Sequence, residues 1–522
     1  MLSIVLPLNK EVNTCSFNIL FGQLCYDFNM NIELMVLLIS LGLISILLFA
    51  PIGADKAYIS WSIVLLSAFV SALSVIFVSS LLTLIIGISF VWGLINNARL
   101  ATHRRDSTNR LSKVRVGWLS FLTLIAILSV LNVFLNDEAV IIILSIISLI
   151  ASAMMLIFAL YHAFSYSIGS TSPIAPDSRP TLTLAYPARN ETHAIEETLV
   201  SAVACEYPKL EILVIDDCSQ DRTPQIIRNF AHDGVRFIEG SSPSDNWLGK
   251  NAAYRSLADE ASGDFLLFSG IDVKLSPQSI NKLVDYALKN NLDMLSVMPQ
   301  RIHFDFLANF LQTTRYYFQY VLPWELFPIS PVLSSLWLIK RETLSALGGF
   351  EAFPNTVVPE RHFANALSAE GKYRFVVSDS SLGVTTRKRT SSQLETAIRT
   401  LYPMLDENPI TTFLTSLSLL LILVTPFILS GLYLLGFDIL VGKFALISAM
   451  LLTLSNLVVY TRFNASSWFI GLFNFPFIMI SESVLLQISM IKYEFSKVCW
   501  KDRNICIPVL NPPLHRQRKN PI

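Results

Sequence analysis

Hydrophobic positions fall into two patterns along this chain: long unbroken apolar runs towards both ends, and short apolar runs alternating with amphipathic stretches between them. About 20 apolar residues suffice to cross a bilayer as a helix. By that measure the chain predicts spans near 32–50, 58–77, 79–95, 116–135 and 139–164, and again near 411–435, 439–460 and 466–488. The nearly chargeless stretch 58–95 is too long for one crossing and reads as two. In the loop 101–115, Arg104, Arg105, Arg110, Lys113 and Arg115 stand against one acid, Asp106, and such an excess of basic residues marks the cytoplasmic side. Two further crossings return the chain to that side, so the middle of the protein is expected in the cytoplasm. The basic residues Lys492, Lys497, Lys501, Arg503, Arg516, Arg518 and Lys519 follow the last apolar segment. Three crossings would leave them outside; an even number keeps them inside, which makes the Pro- and Phe-rich stretch from Ser466 a re-entrant or interfacial candidate.

In the middle, strand-length apolar runs at 181–186, 211–215, 235–238, 264–268 and 293–297 are separated by helix-length segments. One helix is expected to open with Ser276 as N-cap and Pro277 at its first position. Alternation of this kind predicts a mostly parallel, Rossmann-like sheet with ligands at the carboxyl ends of its strands. The expected organisation is a membrane region at 1–177 with about five spans, an α/β domain at 178–395, a second membrane region at 396–490 with two or three spans, and a basic tail at 491–522.

Composition agrees with membrane residence: 52% of the 522 residues are hydrophobic and 15% charged. With 39 basic and 39 acidic residues there is no net field to attract nucleic acid, and none is expected as a partner. Cys15, Cys25, Cys205, Cys218, Cys499 and Cys506 are scattered, with neither a C-x-x-C pair nor zinc-ligand spacing, as suits a reduced compartment. The first residues make a poor cleavable signal, so the first span is expected to direct the chain to the membrane.

Polar clusters stand where strands end: Tyr186 to Glu191, Asp216 to Thr223, and Ser269 to Val273. Three such loops on one sheet edge suit a nucleotide pocket. The run Pro187-Ala188-Arg189-Asn190-Glu191 resembles the P-A-R-N-E opening of the family 2 glycosyltransferases of GT-A fold, in particular the membrane-bound branch acting on carotenoids, ceramide and similar lipids. Tyr207 to Ile212, Asp216-Asp217-Cys218-Ser219-Gln220-Asp221-Arg222-Thr223, Trp247-Leu248-Gly249-Lys250-Asn251 and Gly348-Gly349-Phe350 are similar to further motifs of that family, in the same order.

The resemblance implies a GT-A domain inserted between groups of transmembrane helices, with Pro187, Arg189, Glu191, Asp216 and Asp217 around a uridine and Lys250 near the diphosphate. The family holds Mg²⁺ or Mn²⁺ with a D-x-D motif, and oxygen ligands suit either ion. Here the motif reads Gly270-Ile271-Asp272, so Asp272 alone is left as catalytic and metal-binding carboxylate. Inverting transfer also needs a general base, usually the Asp of an E-D pair at a helix start. Counting back from Gly371 puts Glu360 there, after Pro359. The later diphosphate clamp has a partial echo from Thr386 to Ser392, in which Arg387 or Arg389 supplies a cation to the diphosphate or to lipid headgroups. Trp500-Lys501-Asp502-Arg503 resembles the branch's W-K-G-R tail, with Asp for Gly.

The implied activity is transfer of a hexose from a nucleotide-sugar, a UDP-sugar first, to a lipid or polyisoprenoid-like acceptor by metal-assisted inversion, in a multi-pass plasma-membrane protein with its catalytic domain in the cytoplasm. The alternative is a degenerate nucleotide-sugar-binding subunit of a membrane complex, since both departures fall on groups that do chemistry. A transporter fits less well, because the spans hold few ionisable residues. Aromatic residues between Ile302 and Trp337, among them Phe304, Phe306, Phe310, Tyr316, Tyr317, Phe318, Tyr320 and Trp324, suit either the bilayer boundary or packing on the sheet.

Overall fold

Strands β1 (Leu182–Ala188), β2 (Leu210–Asp216), β3 (Val235–Glu239), β4 (Phe265–Ser269), β5 (Val273–Lys274), β6 (Met294–Met298), β7 (Gln300–His303), β8 (Leu336–Lys340), β9 (Tyr373–Val377) and β10 (Thr385–Lys388) build the middle of the protein, as seen in a computed structural model. The structure describes residues 137–505, with breaks at 170–172, 245–246, 304–305, 312–315, 327–329, 437–439, 464, 495–497 and 502. The four spans expected before residue 136, the basic loop 101–115, Cys15, Cys25, Lys497 and everything from Cys506 onward lie outside the described residues.

Seven strands form one sheet in the order β3-β2-β1-β4-β8-β6-β9, parallel except for β8, which runs antiparallel to both neighbours. This is the Rossmann-like, mostly parallel GT-A sheet. Its inner strands are apolar at nearly every position because helices cover both faces; all five residues of β4 and of β6 are buried. β5, β10 and β7 make a small second sheet beside it. The strands expected at 181–186, 211–215, 235–238, 264–268 and 293–297 are β1, β2, β3, β4 and β6. The expected helix start at Ser276 moves to Ser279. Ser276 donates its backbone N–H to Ser279 Oγ at 2.9 Å, which makes a turn of Pro277 and Gln278 ahead of the helix.

One aromatic cluster positions the two helices that matter most for chemistry. Trp337 of β8 stacks on Phe268 of β4 at 4.5 Å between ring centroids, and Tyr254, Phe350 and Phe363 close around them. All five rings are buried at 1% exposure or less, so helix Gly249–Glu260, which carries Tyr254, and helix Glu360–Ala369, which carries Phe363, are fixed against the same face.

Four described helices are long and apolar enough to cross a membrane: Ile141–Ser165, Thr411–Leu434, Gly442–Phe463 and Phe475–Tyr493. In the second, Pro426 has no N–H to offer the carbonyl four residues earlier, Ile422, and the helix widens to π geometry over Leu419–Val424. Ser148 of the first helix donates to that freed carbonyl at 2.9 Å, as an apolar setting demands. Helix Gly442–Phe463 ends beside the α/β domain, where Phe463 meets Tyr320 edge-on at 6.2 Å and Arg462 donates to Ala163 O. The segment Ala465–Leu472 then turns back along this helix: Asn456 Nδ2 donates to Gly471 O at 2.7 Å and to Asn474 Oδ1 at 2.9 Å. Helix Phe475–Glu494 starts from that depth. It ends at the domain again, where Tyr493 donates to Arg399 O at 2.6 Å.

Candidate active site

Backbone geometry first brings the ends of β1 and β2 together. Asn190 and Cys218 adopt left-handed φ of 50° and 54°, which turns each chain sharply out of its strand. Asn190 N–H donates to Ser219 Oγ at 3.0 Å, and Asn190 Oδ1 accepts from Gln220 N–H at 2.9 Å. Asp221 accepts from the N–H groups of Thr223 and Thr192 at 3.0 and 3.2 Å; partial burial notwithstanding, these bonds hold its carboxyl down to about 2. The two loops are thereby one rigid edge, with Glu191, Asp216 and Asp217 along it.

Arg189 points into this edge. Its Nη1 donates to the carbonyls of Asp217 and Cys218 at 2.5 and 2.8 Å, so its place is beneath the loop, holding it. Asp216 accepts from Ser219 N–H through Oδ2 at 3.1 Å, while its Oδ1 is buried without a hydrogen-bond partner among the described residues. A buried acceptor of that kind is costly unless a ligand's donor meets it. Gly240 closes the floor: a Cβ there would lie 2.5 Å from Asp216 O.

The sequence tail lies on the same edge. After helix Phe475–Glu494 the chain forms a two-stranded hairpin, β11 (Cys499–Trp500) and β12 (Arg503–Asn504). Arg503 Nη1 donates to Asp217 Oδ2 at 2.5 Å, and Lys501 Nζ lies 3.0 Å from Glu191 Oε1. Burial raises the carboxyl of Glu191, Lys501 opposes that shift, and neighbouring Asp272 adds to it. Burial likewise raises Asp217 against the pull of Arg503 and Arg189. Trp500 lies under the guanidinium of Arg399 at 4.9 Å.

Asp272 follows β4 on the next loop. Its Oδ2 accepts from Thr386 Oγ1 at 2.7 Å, and its carbonyl accepts from Arg387 N–H at 3.3 Å. Gly270 N–H donates to Ser335 O at 2.8 Å, which brings this loop against the start of β8. There Ser334 donates to Glu360 Oε1. Glu360 opens its helix with 0% exposure; Lys250 Nζ lies 3.7 Å from Oε1, and Oε2 is buried without a hydrogen-bond partner among the described residues. Lys250 also sits over the Tyr254 ring at 4.9 Å. Glu360 is the acidic residue of that helix's first turn.

The structure thus gathers Glu191, Asp216, Asp217, Lys250, Asp272 and Glu360 at the carboxyl end of the sheet, with Pro187 in β1 leading into the edge. Arg387 is exposed on β10, adjoining Thr386. Sequence reasoning passed over Ser334 and Arg399, and assigned no role of their own to Thr386, Lys501 or Arg503 although their motifs were visible. Among the described residues no three His, Cys, Asp or Glu side chains cluster to hold a metal. Asp272 alone fits a Mg²⁺ or Mn²⁺ that arrives with diphosphate oxygens, rather than one the protein binds unaided.

Residues 183–348 match the profile of glycosyl transferase family 2. The probable glycosyltransferase YdaM of Bacillus subtilis is 27% identical over 183 residues, 33% of this chain and 43% of that protein. The 4,4'-diaponeurosporenoate glycosyltransferase of Staphylococcus haemolyticus is 25% identical over 128 residues, 24% and 34% of the two chains. The chain therefore spans less than half the length of these relatives. Among solved structures, the mannosyltransferase PcManGT from Pyrobaculum calidifontis, in complex with GDP-Man and Mn²⁺, superposes with a TM-score of 0.41 at 19% identity, covering 67% of this chain and 98% of that one.

Proposed function

Because the chain carries a family 2 glycosyltransferase domain, we propose that it is a membrane enzyme moving a hexose from a nucleoside diphosphate sugar, a uridine one first, onto a lipid or polyisoprenoid-like acceptor. The observation that carries this reading is the convergence of Asp272 and Glu360: the Gly270–Ser335 bond sets the 270–272 loop beside the Ser334–Glu360 pair. The edge formed by Glu191, Asp216 and Asp217 holds the nucleoside, with the buried Asp216 Oδ1 accepting from the base. Pro187 and Arg189 shape that edge. Lys250 and Arg387 serve the diphosphate.

Transfer is a single displacement. The acceptor hydroxyl oxygen attacks the anomeric carbon as the bond from that carbon to the phosphate oxygen breaks, its proton passes to Glu360, and the nucleoside diphosphate leaves with the bonding pair. A Mg²⁺ or Mn²⁺ at Asp272 would offset charge growing on that leaving group. Glu360 is sealed from solvent, so the acceptor reaches it only as Ser334 or Lys250 yields. The membrane helices bring a lipid acceptor to this side, which we assign to the cytoplasmic face of the plasma membrane.

The buried Glu360 and the Gly270 in place of a carboxylate favour a second reading, a nucleotide-sugar-binding subunit that does not transfer. Labelled UDP- and GDP-sugars supplied to membranes containing the protein, with and without Mn²⁺, separate the two. Label in the lipid extract from one donor, lost in Asp272→Asn, is expected. Bound nucleotide without any transfer would establish the second reading instead.

A further inference from the structure

Two cations reach the nucleotide edge from outside the family domain. Lys501 and Arg503 flank the turn of the β11–β12 hairpin, where Lys501 has a left-handed φ of 49°. Both side chains keep part of their surface open, 24% and 21%. We infer that Lys501 and Arg503 belong to the donor site and bind the diphosphate of the nucleotide. The inference rests on the nucleotide-sugar reading above.

Charge makes the first argument. Without the hairpin the pocket presents Glu191, Asp216, Asp217 and Asp272 against Arg387 beside Asp272, with Arg189 turned beneath the loop and Lys250 against Glu360. An edge of four acids repels a diphosphate, and the two tail cations offset two of those charges, at Glu191 and Asp217. Each has donors to spare, since an ammonium carries three N–H groups and a guanidinium five. Lys501 Nζ is engaged by Glu191 Oε1 and Asn190 O, both at 3.0 Å, and Arg503 chiefly by Asp217. The carboxylates hold the cations in place for a third, anionic partner.

Space makes the second argument. Gly249, in the Trp247 to Asn251 motif, is where Arg503 passes: a Cβ there would lie 2.4 Å from Arg503 Nη1 and 3.0 Å from Asp217 Oδ2. The hairpin is also tied from both sides, by Arg189 Nε donating to Lys501 O at 2.9 Å and by Trp500 beneath Arg399. Gly270 stands where a metal-binding carboxylate is missing, and these cations add neutralising charge on the Glu191 and Asp217 edge.

The test uses the full chain in nanodiscs, with UDP and UMP affinities measured by calorimetry in Mn²⁺ for wild type, Lys501→Gln, Arg503→Gln and the double variant; GDP and GMP replace them if GDP is the diphosphate bound. A charge-assisted hydrogen bond predicts that each single variant loses about tenfold in UDP affinity while UMP affinity stays within about threefold. An unchanged UDP-to-UMP ratio in the double variant overturns the inference. So does a parallel fall in both affinities, which would mean the hairpin only props the pocket. A wild type that binds neither UDP nor GDP instead removes the nucleotide-sugar reading itself. A second measurement needs no substitution: maleimide labelling of the exposed Cys499 thiol in wild type, followed by mass spectrometry. UDP should slow it about tenfold and UMP should not; a rate indifferent to UDP overturns the inference.

Discussion

Lys250 and Glu360 are one ion pair with two separable jobs, and substituting each in turn distinguishes them. Glu360 has no exposure and Lys250 Nζ stands 3.7 Å away, so at an effective dielectric of about 20 their gross attraction is about 4 kcal/mol. Burying a carboxylate costs a similar amount, which makes the intact pair nearly neutral for stability. Lys250→Met removes the cation and leaves the carboxylate buried, a loss of roughly 3–5 kcal/mol. At about 2–4 °C per kcal/mol for a domain of this size, the thermal midpoint should fall by on the order of 10 °C. Glu360→Gln removes the buried charge, retains the Ser334 bond and releases Lys250 towards solvent, so stability should stay within about 1 kcal/mol of wild type, a midpoint shift of about 4 °C or less. Activity should show the reverse emphasis. Loss of a general base costs about 10²–10⁴ in rate, or roughly 3–5 kcal/mol of barrier. The assay pairs thermal unfolding in detergent with transfer of labelled sugar to lipid on the same samples. Full turnover in Glu360→Gln would refute the base assignment, and an unshifted midpoint in Lys250→Met would refute the claim that the pair is desolvated.

Other consequences follow from single contacts. Asn251 Nδ2 donates to the carbonyls of Phe353, Pro354 and Thr356, which hold the loop leading to Glu360; Asn251→Ala should cost about 2–3 kcal/mol, read as a lower midpoint, with activity falling alongside. Gly240→Ala places a methyl 2.5 Å from a backbone oxygen and should destabilise the nucleotide edge, seen as faster proteolysis around Asp216; a protease pattern like wild type would contradict it. With one aspartate in place of two, Mn²⁺ should bind measurably only when UDP is present, and calorimetry showing tight Mn²⁺ binding to the protein alone would count against the single-ligand site. A membrane-impermeant maleimide should reach Cys499 from the same side as a reporter placed in the α/β domain, because the chain turns back at Asn456 and Gly471 before its last helix.

Much of the fold was legible because its signals are local. Alternation of strand-length and helix-length apolar runs marked β1, β2, β3, β4 and β6, and unbroken apolar runs marked the helices Ile141–Ser165, Thr411–Leu434 and Gly442–Phe463 close to where they lie. Asp216, Asp217, Asp272 and Glu360 were legible as candidates because they stand at strand ends and a helix start. β8 escaped notice because nothing local distinguishes an antiparallel strand inserted between two parallel ones; its pairing of Leu266 with Ile339 is long-range.

What only the tertiary structure decided is which charges meet. A sequence lists Asp217 and Arg503 as residues 286 positions apart, and no periodicity links them. Their contact depends on where the last helix starts and on Gly249 leaving room. The same holds for Lys250 and Glu360, whose approach is set by an aromatic cluster drawn from four separate elements and the loop at Phe350. Arg189 shows the converse: its motif named it for the ligand, yet it lies under the loop, because burial let its guanidinium satisfy two backbone carbonyls there. Residue type and spacing determined the kinds of chemistry available. Packing determined the partners, because charge and hydrogen-bond energies depend on distance and burial that sequence does not contain.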